Sequence, residues 1–266
     1  MCGILGWYSP QPTPPETFDR ALDVMSHRGP DDRGTWSIPL DGFGLPSGGP
    51  EIRTGSALNG APHRNGAPRA AGSGAAGSGA ATSGASATGG RLWFGHRRLA
   101  ILDLSPRGHQ PMSSPDGRFT ITFNGEIFNF QEIRETLRGL GYTFVSESDT
   151  EVILAAWREW GPECLHRMNG MFAFGLWDAE RRELHVVRDR VGVKPVYWTR
   201  GKAGFAFASE IKALLALPGV PRALNTDRVA HLLNFLWVPG PQTLFAGIDK
   251  LEPGHRMVLR GSELTI

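Results

Sequence analysis

Cysteine is scarce in this 266-residue chain: Cys2 and Cys164 are the only two, and they do not fall at metal-ligand spacing. A disulfide framework and a structural zinc site are thereby excluded, and no metal site is expected. Charge of one sign is lacking as well. The net charge is +2, and Lys and Arg are scattered instead of massed, so nucleic-acid binding has little electrostatic support. No apolar run reaches the ~18–20 residues that a membrane span needs. The N-terminus has no basic region leading into an apolar segment, so no secretory signal is expected. A GxGxxG turn and a repeating βαβ pattern are missing, which leaves a dinucleotide-binding fold unsupported. The class that remains is a soluble cytoplasmic protein with a sizeable core.

One stretch holds almost no large apolar side chains. From about 46 to 90 the sequence is dominated by Gly, Ala, Ser and Pro, with little to offset the entropy of ordering it. A flexible surface loop is expected there. Its Ser47-Gly48-Gly49-Pro50 has the look of a pyrophosphate loop, but no strand precedes it and Pro50 removes a backbone donor.

The flanks are patterned. Phe18, Leu22 and Met25 predict a helix ending near Gly29-Pro30. Ile133, Leu137 and Leu140 predict another, closed by Gly141. Phe119, Ile121 and Phe123 alternate with threonines, the pattern of a half-buried strand running into Asn124-Gly125. Ser148-Asp149-Thr150-Glu151 has the spacing of a capping box opening a third helix. Adjacent strands are expected over 172–177 and 184–187, then a strand over 205–208, a helix over 209–217, a helix capped by Thr226 and a strand over 255–260. Paired strands between helices favour antiparallel sheets covered by helices.

Cys2 is the residue with the most chemistry. Removal of Met1 would leave a thiol and a free α-amine on one residue, and an α-amine titrates near ~7.7–8.0, where it serves as a base at neutral pH. The alternative is an ordinary buried cysteine opening the first strand. Asn124-Gly125 is either a turn or an oxyanion hole made of a side-chain amide and a backbone N–H. Arg98 is either a solvated strand end or a fork for a carboxylate. Asp149 is either a favourable charge at a helix N-terminus or a receiver for an ammonium group. An Arg for a carboxylate and an Asp for an ammonium together describe a pocket for a free α-amino acid.

Eight segments occur in order: Met1-Cys2-Gly3-Ile4, His27-Arg28-Gly29-Pro30-Asp31, Gly95-His96-Arg97-Arg98-Leu99, Phe123-Asn124-Gly125-Glu126-Ile127, Ser148-Asp149-Thr150-Glu151, Met168-Asn169-Gly170-Met171-Phe172-Ala173-Phe174, Arg188-Asp189-Arg190-Val191-Gly192-Val193-Lys194-Pro195 and Phe207-Ala208-Ser209-Glu210-Ile211-Lys212. The series resembles the N-terminal glutaminase domain of glutamine-hydrolysing asparagine synthetase, over nearly the whole chain outside 46–90. The resemblance implies an α+β fold of the N-terminal-nucleophile hydrolase type, an αββα sandwich of two antiparallel sheets between helix layers. It implies that Cys2 attacks the side-chain amide of L-glutamine, with Asn124 and Gly125 stabilising the oxyanion. Arg98 would hold the α-carboxylate, and Asp149 and Glu126 would lie near the α-amino group. Leu99, Ala100, Ile101 and Leu102 would line the pocket, and the loop from Arg28 to Asp31 would help close it. No cofactor is expected for this step.

Two departures from the family stand out. One is the long 46–90 insertion, which closure entropy tolerates because it grows only logarithmically with length. The other is that the chain stops at Ile266 with no Ser-Gly-Gly-x-Asp-Ser loop. ATP and magnesium would be needed only by a synthetase domain outside this sequence. The expected division is a glutaminase domain over 1–220 and an extension over 221–266 leading toward that domain. Val191 to Pro195 and the helix from 226, with Leu233, Phe235, Leu236 and Trp237 as an apolar patch, are the expected docking surfaces. The expected partners are L-glutamine, a separate ATP-dependent synthetase domain or subunit, and a second copy of the chain as a homodimer, with no nucleic acid or membrane. A glutaminase serving another acceptor and a non-catalytic amino-acid-binding remnant are the competing readings.

Overall fold

In the computed structural model of the protein the described residues are 1–40, 52–53 (backbone only) and 89–266. Most of the 46–90 stretch, including Ser47 to Pro50, lies outside them. In chain order the elements are β1 (Gly3–Ser9), α1 (Pro15–Asp23), β2 (Asp32–Pro39), β3 (Ile52–Arg53), β4 (Arg91–Arg98), β5 (Met112–Ser113) and β6 (Phe119–Ile127). There follow α2 (Phe130–Gly139), α3 (Asp149–Trp160), β7 (Gly170–Asp178), β8 (Glu183–Arg188), β9 (Tyr197–Gly201) and β10 (Gly204–Ala208). The chain continues through α4 (Ile211–Leu215), α5 (Thr226–Phe235), β11 (Ile248–Lys250), β12 (Arg256–Arg260) and β13 (Glu263–Thr265).

Two sheets form, in the orders β11-β9-β10-β1-β4-β2 and β3-β13-β12-β8-β7-β6-β5. Every pairing is antiparallel except the short β13–β3 ladder, which is parallel. Residues beyond 220 enter both sheets, β11 beside β9 and β12 beside β8, so the two sheets run across that position.

The sheets stack face to face, and side-chain alternation along β1 shows how. Ile4 and Tyr8 point into the inter-sheet core with Phe94, Phe205, Phe207 and Trp177. Leu5 and Trp7 point the other way, onto Phe18 and Leu22 of α1 and Leu214 of α4. On the far side Ile133 and Leu137 of α2 and Val152, Ile153 and Trp157 of α3 cover Ile121, Phe123 and Phe174. Four layers result, helix, sheet, sheet, helix, and a strand buried on both faces reads as a nearly continuous apolar run. Between the sheets the Phe207 ring fills the space that a side chain on Gly6 or Gly175 would need.

Several expectations are corrected. The strand β6 is not half-buried: Thr120 and Thr122 are as buried as Phe119 and Ile121. The polar face meets the other sheet instead of water, and the Thr122 hydroxyl donates to the Gly95 carbonyl on β4 at 3.0 Å. The capping box is only half made. Ser148 accepts from Thr150 N–H at 3.0 Å, but Glu151 turns to the N–H groups of Val145 and Ser146 instead of reaching back to Ser148. Leu140 is an exposed C-cap residue, not part of the buried face of α2. Asn225, not Thr226, is the N-cap of α5. No residue of α5 is buried, and Leu233, Phe235, Leu236 and Trp237 are all more than half exposed. Among the described residues no helix is long and apolar enough to cross a membrane.

A second inter-sheet hydrogen bond joins His96 Nε2 on β4 to the Phe123 carbonyl on β6 at 2.9 Å. His96 is fully buried, and burial pushes its pKa down from 6.5 to about 4. The ring is therefore neutral and donates from Nε2. Since the folded value lies below the unfolded one, its contribution to stability is intact above about pH 6.5 and is lost as pH falls toward 4. That loss amounts to about 3 kcal/mol at most. His96→Gln keeps a donor near Phe123 without a titrating ring. In urea unfolding at pH 7 and pH 4.5, the stability advantage of the wild type over this variant should shrink on acidification. An advantage that stays constant would contradict the assignment.

Candidate active site

The two inter-sheet bonds bring the C-terminal ends of β4 and β6 to the N-terminal end of β1, and a pocket opens there. Cys2 immediately precedes β1. Its thiol donates to the Leu99 carbonyl at 3.6 Å, and its sulfur accepts from Leu99 N–H at 3.4 Å. The Cys2 carbonyl accepts from Arg28 Nε at 2.9 Å, and Arg28 Nη1 is itself held by Glu210 at 2.9 Å. The residue is thus fixed at both backbone and sulfur. Burial raises the thiol pKa, against the lowering pull of the Leu99 N–H, the chain's amino terminus, Arg98 and Lys194. Cys164, by contrast, sits in the second helix–sheet layer, pushed up to about 12 by burial, and is chemically quiet.

Asn124 and Gly125 lie near the end of β6. Asn124 has the same parity as Thr120 and Thr122 and so projects between the sheets. It is buried, and among the described residues its Nδ2 has no hydrogen-bond partner. A buried amide donor left unpaired costs roughly 1–3 kcal/mol, and an acceptor placed in the pocket would remove that cost. Gly125 sits opposite Phe172 of β7, whose N–H and carbonyl are both engaged by Asp189. Its neighbours of like parity, Phe123 and Ile127, send their N–H groups away from β7, to Gln110 Oε1 at 2.7 Å and Asp149 Oδ2 at 3.0 Å. The alternation of an antiparallel ladder turns the Gly125 N–H to that same edge. A β-carbon at Gly125 would overlap Met171 O and Phe172, so only glycine keeps β6 this close to β7.

Arg98 is buried at the end of β4, with Nη1 donating to Ser105 O at 3.3 Å and Nη2 to Asp103 O. Two of its five donors are thereby spent on positioning. Asp103 braces this loop, its carboxylate accepting from Ser105 and Glu147 N–H groups. Hydrogen bonds from Ser105, then Glu147, and the Arg98 charge hold it below the usual carboxylate range. Asp149 opens α3. Burial above all, with the Glu126 charge adding to it, raises its pKa to about 6, against the N–H groups of Ile127 and Thr150.

The pocket measures about 190 Å³ and is lined by Cys2, Arg98, Leu99, Ile101, Leu102, Asn124, Gly125, Glu126 and Asp149, among others. That is the scale of one amino acid, below the roughly 300–1,000 Å³ of drug-sized sites. A larger cleft of about 740 Å³, bordered by Arg188, Trp198, Lys250 and Arg256, holds none of the expected site residues. Ala100 is absent from the pocket wall. Its N–H is taken by Asp31 at 2.9 Å, while Asp31 N–H donates to Arg98 O, which docks the 28–31 loop against the end of β4. Sequence reasoning missed Gln110, which joins β6 to Thr150 of α3, and Lys194, which lines the pocket although its motif was read only as a docking surface. Gln110 carries no local signal, since it is defined only by partners 13 and 40 residues away. Among the described residues no cluster of three or more His, Cys, Asp or Glu could hold a metal ion.

Residues 74–266 match the family described as the glutamine amidotransferase domain. The chain belongs to that family. Curated relatives agree with the assignment. Asparagine synthetase [glutamine-hydrolyzing] 3 of Bacillus subtilis is 32% identical over 100% of this chain and 36% of its own length. A putative asparagine synthetase [glutamine-hydrolyzing] of Mycobacterium bovis is 34% identical over 99% and 36%. Amidase chry2 of Gibberella zeae is 29% identical over 93% and 29%. This amidotransferase domain thus spans about a third of the length of those relatives. Among solved structures, the glutamine phosphoribosylpyrophosphate amidotransferase of B. subtilis superposes with a TM-score of 0.60 at 18% identity, covering 99% of this chain and 48% of that one. The shared architecture is the N-terminal-nucleophile hydrolase fold.

Gly125→Ala should lower stability by about 1–3 kcal/mol through overlap with β7. Urea unfolding measures this, and an unchanged midpoint would show that the glycine is not sterically required.

Proposed function

We propose that this chain hydrolyses L-glutamine to glutamate and ammonia through a thioester on Cys2. The observation that carries the proposal is that Asn124, whose buried Nδ2 has no partner among the described residues, lines the same small pocket as Cys2. Once Met1 is removed, the α-amine of Cys2 takes the thiol proton, directly or through one water. The thiolate attacks the side-chain carbonyl carbon, and the oxyanion receives Asn124 Nδ2 and Gly125 N–H, each donor contributing about 2.7–4 kcal/mol. The protonated amine gives its proton to the departing nitrogen, and ammonia leaves. Water then adds to the γ-glutamyl thioester, the amine accepts a proton from it, and collapse frees glutamate and the thiol. Arg98 holds the α-carboxylate, Asp149 and Glu126 receive the α-ammonium, and Leu99, Ile101 and Leu102 form the wall. The chemistry draws on the thiol, its own amine and two neutral donors, and we assign it no cofactor.

The names of the relatives support a further assignment. We propose that the ammonia serves an ATP-dependent synthetase domain or subunit that amidates aspartate, with ATP and magnesium required only there. The exposed apolar residues of α5 and the Val191–Pro195 segment are the surfaces we assign to that partner. A reactive thiol at position 2 suits a reducing compartment such as the cytoplasm.

Cys2→Ala should lower glutamate release from glutamine at least about 10³-fold while the circular dichroism spectrum stays native. Release that survives the substitution would disprove the thioester route. Asp149→Asn should raise KM for glutamine about tenfold or more, the scale of one lost charge-assisted contact. In the wild type kcat/KM should rise with pH through about 6 as Asp149 ionises. A kcat/KM that is flat between pH 5 and 7 would remove Asp149 from the ammonium site.

A further inference from the structure

Lys194 is a largely buried residue whose side chain, among the described residues, has no partner, in a pocket that already contains one arginine. Its residue is 6% exposed, and it lines the same pocket as Cys2, Asn124 and Gly125. Among the described residues no hydrogen bond or ion pair falls to its Nζ. An ammonium that faces a pocket without a counter-charge is completed by a ligand or by a negative charge that develops there.

The placement is built, not incidental. Asp189, itself buried, accepts from Val191 and Val193 N–H groups at 3.1 and 2.9 Å through one oxygen. Its other oxygen accepts from Lys194 N–H at 3.0 Å and Phe172 N–H at 3.3 Å. From outside, Arg188 donates to the carbonyls of Lys194 and Gly192 at 2.8 and 2.7 Å and to Leu251 O. The Lys194 backbone is therefore held at both N–H and carbonyl, and the turn is tied to β7 beside Gly125.

The other charged groups around the sulfur are accounted for. Arg98 at the end of β4 is anchored to the 103–105 carbonyls, and Arg28 from the 26–28 turn is spent on Cys2 O and Glu210. Asp103 is tied to Ser105 and Glu147, and Asp149 to Ile127 N–H, while Glu126 lies beside Asp149 at the α3 side of the pocket.

We propose that Lys194 is an electrostatic positioning residue for the nucleophile, its ammonium supplying the fixed counter-charge that the Cys2 sulfur needs in passing from thiol to thiolate. The proton still leaves to the α-amine, and Lys194 gives up none of its own. The lowering influence of Lys194 on the thiol has the sign this requires. The inference rests on the reading of Cys2 as nucleophile, and its test is chosen to stand apart from turnover.

The test is the rate of Cys2 alkylation by iodoacetamide, followed by intact mass from pH 6.5 to 10 in the full chain. Intact mass also reports Met1 removal, and the quiet Cys164 leaves Cys2 as the reacting thiol. Lys194→Met should slow alkylation at pH 7 about tenfold and raise the midpoint of the pH profile by about one unit. Lys194→Arg, which keeps the charge, should stay within about twofold of wild type. Where the methionine variant loses its native circular dichroism, Lys194→Gln takes its place. Wild-type alkylation in a folded Lys194→Met chain, or an arginine variant as slow as the methionine one, would overturn the proposal. So would a glutamine KM raised with kcat unchanged, which would make Lys194 a substrate-binding group. Glutamate release measured in parallel separates the two readings: a wild type without Cys2-dependent release defeats the glutaminase proposal and leaves the alkylation result meaningful.

Discussion

Everything at the candidate site depends on how closely β4 and β6 approach across the sandwich. Two hydrogen bonds between sheets, Thr122 to Gly95 and His96 to Phe123, set that distance from opposite strands. Both are side chain to backbone and both are buried, so neither has water as a substitute partner. They fix β6 relative to β4, and β4 pairs with β1 along its whole length. Three segments far apart in sequence, beginning at Cys2, Arg98 and Asn124, therefore converge at one end of the sandwich. Phe207, filling the space over Gly6 and Gly175, sets the spacing at the centre in the same way.

The site couples this rigidity to deliberate electrostatic cost. Burial raises the thiol of Cys2 and the carboxyl of Asp149 and leaves Asn124 Nδ2 unpaired. Each of these runs against what burial by itself favours, and all three residues line one small pocket. Spending stability where a ligand can return it is the usual signature of a functional site. The structural carboxylates behave oppositely. Asp103 and Glu210 are held below their ordinary range, Asp103 by backbone donors and Glu210 by Arg28, Lys212 and His27 despite its burial.

The larger frame is consistent with this division. A solved amidotransferase with 18% identity shares the architecture, so the sandwich tolerates wholesale replacement of its side chains. The curated relatives extend well beyond the length of this chain. The exposed Leu233, Phe235, Leu236 and Trp237 and the exposed Val191 lie outside the core that holds the pocket together.

Much of the fold was legible in residue order alone. Helix faces such as Phe18 and Leu22, and strand runs such as Phe172 to Trp177, follow from local periodicity, which needs only a buried side to show itself. The ordered series of motifs points to Cys2, Arg98, Asn124, Gly125 and Asp149, and the fold brings these five to one pocket. What local pattern cannot encode is what a polar face meets. The threonines of β6 looked solvent-facing and instead join a second sheet. Glu151 left its capping box for Val145 and Ser146, and Ala100 yielded its N–H to Asp31. Gln110 and Lys194 acquired their places from partners distant in sequence. Sequence by itself determined which residue types and periodicities were available; only the tertiary structure decided which polar groups found partners and which were left bare in the pocket, because that depends on long-range contacts that no local spacing records.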